Sequence, residues 1–294
     1  MQRTKSSVQV VFNLCFLILF ILSGSCTQSV NSQTVVRPYT LPKFGYCTFI
    51  GYHKDLPTFS CEMPGQTLQS VYMLAENDSF QLFVELDPAI EVLSISNDRL
   101  VYYNPVIKKL IVQDDEEIKN EITVDTKVWT AAIGGDSNDV LYFSLGNSSF
   151  IHRVRLDGKG VVEPIPVKGM VIGVKKDQLY YYTNVEDQAI INLYAWDTRL
   201  KRSAELYSSL DVVDILFEDG ITLLPSHPYI SCRARVNDLY VPILFNVLTK
   251  ERCVVEEKEE LVNFFTYYSS AKDKLVFFDV DDPTGAYFFS SECK

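Results

Sequence analysis

The chain has 294 residues, of which 47% are hydrophobic, 13% aromatic and 22% charged, and this composition excludes an intrinsically disordered chain. Its formal net charge of −11 disfavours nucleic acid and anionic membrane surfaces as partners, because both carry charge of the same sign. The length permits one large domain or two ordinary ones.

Residues 1–25 have the order of a secretory signal peptide. Arg3 and Lys5 form a basic start, an apolar stretch runs from Val8 to Leu22, and small residues follow at 23–25. The apolar stretch is shorter than the roughly 20 residues that a membrane-spanning helix needs. We therefore predict cleavage after residue 25 or 26, secretion to the extracellular space and no membrane association afterwards. A retained anchor is the alternative.

Cysteine usage agrees with an oxidising compartment. Beyond Cys15 in the signal, six cysteines remain: Cys26, Cys47, Cys61, Cys232, Cys253 and Cys293. Sequence alone cannot choose among their possible pairings. The local pairs, Cys47 with Cys61 and Cys232 with Cys253, have spacings that fit neighbouring strands, which would leave Cys26 and Cys293 at opposite chain ends.

Two sequons begin at Asn77 and Asn147, in polar segments typical of turns. Such segments can accommodate a glycan, so we predict N-glycosylation at both asparagines.

Short runs of β-branched and aromatic residues recur along the chain. The clearest begin at residues 100 (LVYYN), 140 (VLYFS), 179 (LYYYT) and 275 (LVFFD), and a polar turn precedes each of them. The first three runs are spaced by about forty residues, and a fixed period of this length is typical of repeat architectures. Four short strands per repeat predict the blade of a β-propeller.

The repeat predicts an all-β, six-bladed propeller of four-stranded antiparallel blades, formed as a single domain over residues 46–294. The approximate units are 46–87, 88–125, 126–167, 168–209, 210–258 and 259–294. Since the sixth unit offers three strands, the N-terminal segment 26–45 is expected to lend a closing strand from Thr34–Tyr39, and a Cys26–Cys293 bond would then secure the closure. Another large all-β fold, such as a sandwich, is the alternative.

One segment does not fit the strand pattern. Residues 198–210 lack Gly and Pro and carry spaced apolar residues, which is compatible with a helix.

The third unit resembles a blade of the YWTD-type propellers of lipoprotein-receptor ectodomains. Val140-Leu-Tyr-Phe-Ser144 and Ile151-His-Arg-Val-Arg-Leu-Asp157-Gly158 correspond to the L-Y-W-T-D strand and the I-x-R-x-x-L-D-G strand and turn of that family. The Trp and the Thr-Asp pair, which join neighbouring blades in the family, are absent here. The resemblance implies a six-bladed ring that binds a protein or peptide, although fold analogy alone does not establish function.

Catalytic motifs are scarce. The chain has no G-x-S-x-G sequence, and its three histidines, His53, His152 and His227, fall in different units. Gly135-Asp136-Ser137 matches the G-D-S of some esterases, but Leu224 stands where that family needs an Asp before its His. A polar turn explains the tripeptide better.

Two sets of residues are weak candidates for metal ligands. Asp279, Asp281 and Asp282 could form a calcium loop, but Pro283 breaks the ligand spacing, and a turn explains the segment more simply. Glu91, Asp214 and Asn263 lie on predicted innermost strands, where lactonase-type propellers place metal ligands. We otherwise expect no cofactor. The favoured function is a secreted protein- or peptide-binding module, and a metal-assisted hydrolase is the alternative.

Overall fold

The computed structural model describes sixteen segments of the chain. They are residues 28–31, 33–36, 46–54, 56–62, 68–75, 79–114, 117–134, 139–184, 191–208, 214–215, 221–224, 227–236, 239–256, 264–269, 274–279 and 285–290. Within these segments every regular element is a β-strand. No helix among the described residues is long and apolar enough to cross a membrane.

Two short strands precede six units of mostly antiparallel strands. The short strands are β1 (Gln28–Asn31) and β2 (Gln33–Val36). The first unit contains β3 (Tyr46–His53), β4 (Leu56–Glu62), β5 (Gln69–Leu74) and β6 (Phe80–Leu86). The second contains β7 (Glu91–Ser96), β8 (Arg99–Asn104), β9 (Lys109–Asp114) and β10 (Glu117–Thr123).

The third and fourth units are the most regular. The third contains β11 (Val128–Gly134), β12 (Val140–Leu145), β13 (Phe150–Arg155) and β14 (Glu163–Lys168). The fourth contains β15 (Met170–Lys175), β16 (Gln178–Asn184), β17 (Ile191–Asp197) and β18 (Arg202–Tyr207). Each unit forms its own sheet, in which strands that follow one another in sequence pair.

The fifth unit departs from this pattern. Its inner edge consists of two short strands, β19 (Asp214–Ile215) and β20 (Thr222–Leu223), which both pair with β21 (Tyr229–Val236). β22 (Leu239–Asn246) and β23 (Arg252–Glu256) follow, and β1 pairs in parallel with β23 as the sixth strand of this sheet.

The sixth unit contains three consecutive strands and one from the other end of the chain. The consecutive strands are β24 (Phe264–Ser269), β25 (Lys274–Asp279) and β26 (Gly285–Ser290). β2 pairs antiparallel with β26 and completes a sheet of four. The sequence segment expected to close the ring, Thr34–Tyr39, thus overlaps β2.

The aromatic runs are explained by burial on both sides of the second strand of a unit. On β8, Leu100 and Tyr102 pack into the core cluster shared with the first unit. Val101 and Tyr103 alternate with them and pack into the cluster shared with the third unit. Successive side chains of a strand point to opposite faces, so a strand between two sheets must be apolar at every position.

The same alternation continues around the molecule. On β12, Leu141 and Phe143 pack towards the second unit, and Tyr142 packs towards the fourth. On β16, Leu179 and Tyr181 pack towards the third unit, whereas Tyr180 packs towards the fifth. The core is therefore a series of clusters between adjacent sheets, which is the packing of a propeller.

The segment 198–210 is not helical as far as it is described, so that prediction was wrong. Residues 198–201 form a turn, and β18 follows as the outer strand of the fourth unit. Its backbone pairs with β17 through Ser203, Ala204 and Glu205, and this pairing with an existing sheet overrides the weak helical pattern.

These observations confirm the predicted fold class, a six-bladed β-propeller. Inner strands from the first to the fifth blade contact one another in chain order. Because each blade repeats one strand order, the inner strands begin at one face of the ring, here called the upper face, and end at the opposite, lower face. The turns between second and third strands and the links between blades lie at the upper face.

Candidate functional site

A cavity of about 490 Å³ lies between the inner strands of the first five blades. Its lining comes from the middle and C-terminal parts of β3, β7, β11 and β15, from β20, and from the turn residues that follow the first, second and fourth inner strands. The cavity therefore lies towards the lower face. Its volume is within the range of small-molecule sites, roughly 300–1,000 Å³.

Close contact between inner strands shapes this cavity. Gly51 of β3 has a φ of 133°, and a β-carbon built on it would lie 2.3 Å from the Ile95 carbonyl oxygen of β7. Only glycine tolerates both this φ and this approach. The first two blades consequently meet at Gly51 and Ile95, where β3 and β7 make a parallel bridge.

Hydroxyl and amide side chains bond the open edge of the next inner strand. Ser94 Oγ donates to the Ala131 carbonyl at 2.8 Å. Ser96 Oγ donates to the Ile133 carbonyl at 3.0 Å and accepts from the Ile133 N–H at 2.9 Å, while Asn97 Nδ2 donates to the same carbonyl at 2.8 Å. These bonds satisfy backbone groups that have no strand partner on the cavity side, and they join the second and third blades.

The third and fourth blades are joined in the same way. The Val171 N–H donates to Thr130 Oγ1 at 3.0 Å and to Ser144 Oγ at 3.2 Å, and Ser144 Oγ donates to the Gly169 carbonyl at 3.1 Å. Ser144 stands in the run that lacks the Thr-Asp pair of the YWTD-type family, and its single hydroxyl makes contacts between blades.

Lysines dominate the charge at the lower end of the cavity. Lys54, Lys175 and Lys176 belong to its lining, and Asp98 is the one carboxylate among the described lining residues. Lys54 and Lys176 occupy hairpin turns with φ values of 49° and 54°, in the left-handed region. Lys175 is half-buried, and its Nζ donates to the His227 carbonyl at 2.7 Å. Burial, aided by the neighbouring charge of Lys176, lowers the pKa of Lys175 from its ordinary value.

Asp98 is engaged with the first blade. Its Oδ1 accepts a hydrogen bond from the backbone N–H of Lys54 at 2.5 Å. The ring of His53, which is buried, lies beside it, with Nδ1 3.2 Å from the Asp98 carbonyl oxygen and 3.9 Å from Oδ1. Asp98 therefore fixes the turns of two neighbouring blades.

The predicted metal ligands are not brought together by the described residues. Glu91 lies at the start of β7, near the upper face, and forms an ion pair with Lys127 at 2.9 Å. Asp214 is on β19 and Asp279 is on β25, where the structure describes the backbone alone. Asn263, Asp281 and Asp282 lie outside the described residues. No group of three or more His, Cys, Asp or Glu side chains that could hold a metal occurs in the described part of the chain.

The cysteines divide into three cases. Cys47 and Cys61 are direct register partners across β3 and β4, and Cys61 is fully buried. A Cys232–Cys253 disulfide, one of the pairings compatible with the sequence, is wrong: β22 separates their strands, and Cys232 is a free, buried thiol. Burial raises the pKa of the Cys232 thiol to about 12. Cys26 and Cys293 lie outside the described residues.

An exposed aromatic surface on the upper face was not found by sequence reasoning. Trp129, near the start of β11, is 50% exposed, whereas the other tryptophan, Trp196, is 2% exposed. Phe150 at the start of β13 is also exposed, as are Leu68, Val106 and Ile107 at upper-face positions of the first two blades. We call the two exposed aromatic residues, Trp129 and Phe150, the aromatic surface.

A lysine lies over each aromatic ring. Lys127 Nζ is 4.8 Å from the centroid of Trp129, and Lys168 Nζ is 5.4 Å from that of Phe150. The spacing of Lys127 and Trp129 places both side chains on one side of an extended chain, and this was the available sequence signal. A lysine two residues before a tryptophan is too common a pattern to indicate a site by itself.

Of the two predicted glycosylation sites, the structure describes one. Asn147 is exposed in the turn between β12 and β13, next to Gly146. A β-carbon built on Gly146 would lie 3.0 Å from Trp129 Nε1, so the sequon borders the aromatic surface. Asn77 lies outside the described residues.

Comparison with known proteins shows the fold and no more. No protein-family model and no curated protein matches the sequence. The structure is similar to TolB from Agrobacterium tumefaciens, with a TM-score of 0.54 and 14% identity over 74% of this chain and 80% of that chain. It is also similar to the Cps50 (Swd1) β-propeller domain of Myceliophteria thermophila, with a TM-score of 0.53 and 11% identity over 90% and 100% of the two chains.

A chain of a mitotic checkpoint complex is a further structural neighbour, with a TM-score of 0.50 and 10% identity over 91% of this chain and 94% of that chain. The TM-scores indicate a common fold, but sequence identities this low do not indicate a common function. The propeller prediction is therefore confirmed, and the more specific resemblance to YWTD-type propellers stays a prediction.

Proposed function

We propose that this chain is a secreted extracellular glycoprotein that binds a protein or peptide through the aromatic surface on its upper face. The half-exposed Trp129 carries the proposal. Tryptophan is concentrated among the residues that dominate binding energy at protein interfaces, because it buries a large, rigid and partly polar side chain on contact.

Backbone hydrogen bonds hold the aromatic surface in place. The Val124 N–H donates to the Lys108 carbonyl at 3.0 Å, the Gly146 N–H to the Lys127 carbonyl at 2.8 Å, and the Gly169 N–H to the Ser149 carbonyl at 2.9 Å. Each bond joins a link between blades to an upper-face turn. A surface that is already ordered loses little conformational entropy when it binds, which favours affinity.

The charged groups around Trp129 help to orient its side chain. Lys127 contacts the indole ring and pairs with Glu91 of the preceding blade. The pair fixes the ammonium group over the ring, so the exposed part of the indole presents one defined edge and face. Single polar contacts of this kind contribute mainly to specificity at the rim of an interface.

Secretion and covalent modification complete the proposal. They are supported by the signal-like order of residues 1–25, by the exposed sequon at Asn147 and by the direct opposition of Cys47 and Cys61. We include a Cys47–Cys61 disulfide and a glycan at Asn147. The alternative, a metal-assisted hydrolase, has no comparable support among the described residues.

The first experiment tests secretion. The full chain is expressed in eukaryotic cells, and the medium is analysed by intact mass and by peptide mapping without reduction. We expect an N-terminus at residue 26 or 27, a glycan at Asn147 and a peptide pair joined through Cys47 and Cys61. Retention in membranes with residues 1–25 intact would contradict the secreted state.

The second experiment tests the binding surface. Secreted wild-type protein, Trp129→Ser and Leu200→Ser are each used to capture partners from cell surfaces and conditioned medium, with quantification by mass spectrometry. Leu200 is an exposed residue in a lower-face turn, so its variant controls for the loss of a large apolar side chain. We expect partners that are lost with Trp129→Ser and kept with Leu200→Ser. Equal capture by both variants, at equal thermal stability, would refute the proposed surface.

A further inference from the structure

We propose that the cavity at the lower end of the ring binds a small organic or inorganic anion through Lys54, Lys175 and Lys176. The site is on the opposite side of the ring from the aromatic surface, and the inference does not depend on it. The ligand class is a compact molecule with carboxylate or phosphate groups.

The local charge balance of the cavity differs from that of the whole chain. Three lysines and one aspartate belong to the described lining of the cavity, in a chain whose formal net charge is −11. Such a reversal of sign is not what the overall composition predicts. The low-dielectric walls of a cleft strengthen a local field of this kind.

The described carboxylates near the cavity bond to groups other than the ammonium groups of its three lysines. Asp98 accepts from the backbone N–H of Lys54 and lies beside His53. Asp177, next to Lys176 in sequence, pairs with Arg199 at 3.0 Å. Among the described residues, none of the three lysines of the cavity has a carboxylate within ion-pair distance.

Lys175 lies in an environment that disfavours its own positive charge. Its Nζ is half-buried and bonds to a neutral carbonyl, that of His227, while Lys176 adds a like charge. An ammonium group has three donors, and a carbonyl occupies one of them. A bound anion would accept from another donor and would relieve both the desolvation and the repulsion.

The size of the site narrows the ligand. A cavity of about 490 Å³ admits a molecule such as a di- or tricarboxylic acid or a small phosphate ester. Apolar residues of the inner strands, including Val174 and Leu223, also belong to the lining. These would contact the carbon skeleton of an organic anion.

The test uses citrate and inorganic phosphate as probes of the two anion types, with glycerol as a neutral control. Binding is measured by isothermal titration calorimetry and by the shift of the thermal unfolding midpoint. We expect at least one anion to bind with a Kd of about 1 mM or tighter and glycerol not to bind. The tighter anion identifies the carboxylate or phosphate class. Affinity should fall as salt is added, since screening weakens charge pairs.

Matched variants locate the site. Lys175→Met keeps the apolar stem and removes the charge, and we expect it to raise the Kd by about tenfold or more. Lys201→Gln is the control, because Lys201 also occupies a left-handed turn position of the fourth blade, with a φ of 53°, but does not line the cavity. It should leave the Kd unchanged, and so should Trp129→Ser.

Two results would overturn the inference. One is the absence of binding by both anions at about 10 mM, and the other is an equal loss of affinity in Lys201→Gln and Lys175→Met. Thermal unfolding without ligand checks that each variant is folded. Because Trp129→Ser tests only the upper face, failure of the anion site and failure of the proposed function give different results.

Discussion

Gly134 on β11 and Val174 on β15 meet at the boundary between the third and fourth blades. A β-carbon built on Gly134 would lie 2.1 Å from Val174 Cγ1 and 2.3 Å from its Cβ. The φ of Gly134 is not in the left-handed region, so the absence of a side chain serves close packing and not an unusual backbone. The distance between two inner strands, and with it the width of the cavity, depends on this contact.

Gly134→Ala should therefore destabilise the protein through overpacking, by about 1–3 kcal/mol in urea unfolding. Gly158→Ala is the control, since Gly158 has a φ of 75° and open space around it. Its cost of about 1 kcal/mol comes from the backbone alone. In the double variant Gly134→Ala/Val174→Ala the smaller side chain makes room, and the two effects should be less than additive. Strict additivity would show that Val174 is not the obstacle.

Ser96 should contribute more to stability than Ser144. Ser96→Ala removes the acceptor of the Ile133 N–H, and Ile133 is fully buried, so we expect a loss of about 1–3 kcal/mol. In Ser144→Ala the Val171 N–H keeps its bond to Thr130 Oγ1, so the loss should be smaller. Urea unfolding of both variants decides the order. Equal losses of stability in the two variants would show that the bond from the Val171 N–H to Thr130 Oγ1 does not compensate for the loss of Ser144 Oγ.

The regular blades could be predicted from the sequence because their second strands are buried on both sides. The runs at 100, 140 and 179 are apolar at successive positions, and this property is local. The fifth blade was harder to predict from the sequence. Its inner edge consists of β19 and β20, and strands of two residues are too short to show a periodic pattern of apolar residues. The sequence also did not show that β22 lies between β21 and β23, and this strand order keeps Cys232 and Cys253 apart.

The candidate site could not be predicted, because it depends on how distant turns meet. Lys54 and Lys176 are more than a hundred positions apart and look like ordinary turn residues. Closure of the ring brings them to one cavity. The sequence predicted carboxylates such as Glu91 as ligands at the channel. In the structure Glu91 lies near the upper face, where it forms an ion pair with Lys127. Trp129 was missed because the exposure of a single strand residue is not a local property of the sequence, and the other tryptophan, Trp196, is buried.

Cys232 should react with thiol reagents only when the protein unfolds. Its side chain is 1% exposed, and burial raises the pKa of the thiol to about 12, so the thiolate that reacts is scarce at neutral pH. Ellman's reagent is added to unreduced protein before and after denaturation. Denatured wild type should show one thiol more than denatured Cys232→Val, and the native proteins should not differ. An equal count after denaturation would mean that Cys232 is bonded.

The alkaline limit of stability should depend on Tyr182. This residue packs against the core cluster between the fourth and fifth blades, and burial raises the pKa of its phenol from 10.0 to about 12. Below about pH 10 the phenol is neutral in both the folded and the unfolded state, so its effect on the free energy of unfolding is constant. Between about pH 10 and 12 the unfolded chain loses this proton and the folded chain keeps it, so the folded state becomes less stable as the pH rises.

Tyr182→Phe removes the proton and keeps the ring. At about pH 11 the wild type should therefore have lost about 1.4 kcal/mol relative to Tyr182→Phe, compared with the difference between the two at about pH 8. Urea unfolding at a series of pH values measures this difference. The thiol of Cys232 titrates in an overlapping range, so both proteins should carry Cys232→Val as a common background. Parallel pH profiles for the two proteins would show that the phenol of Tyr182 is hydrated in the folded state, and the interface between the fourth and fifth blades would then be open to water.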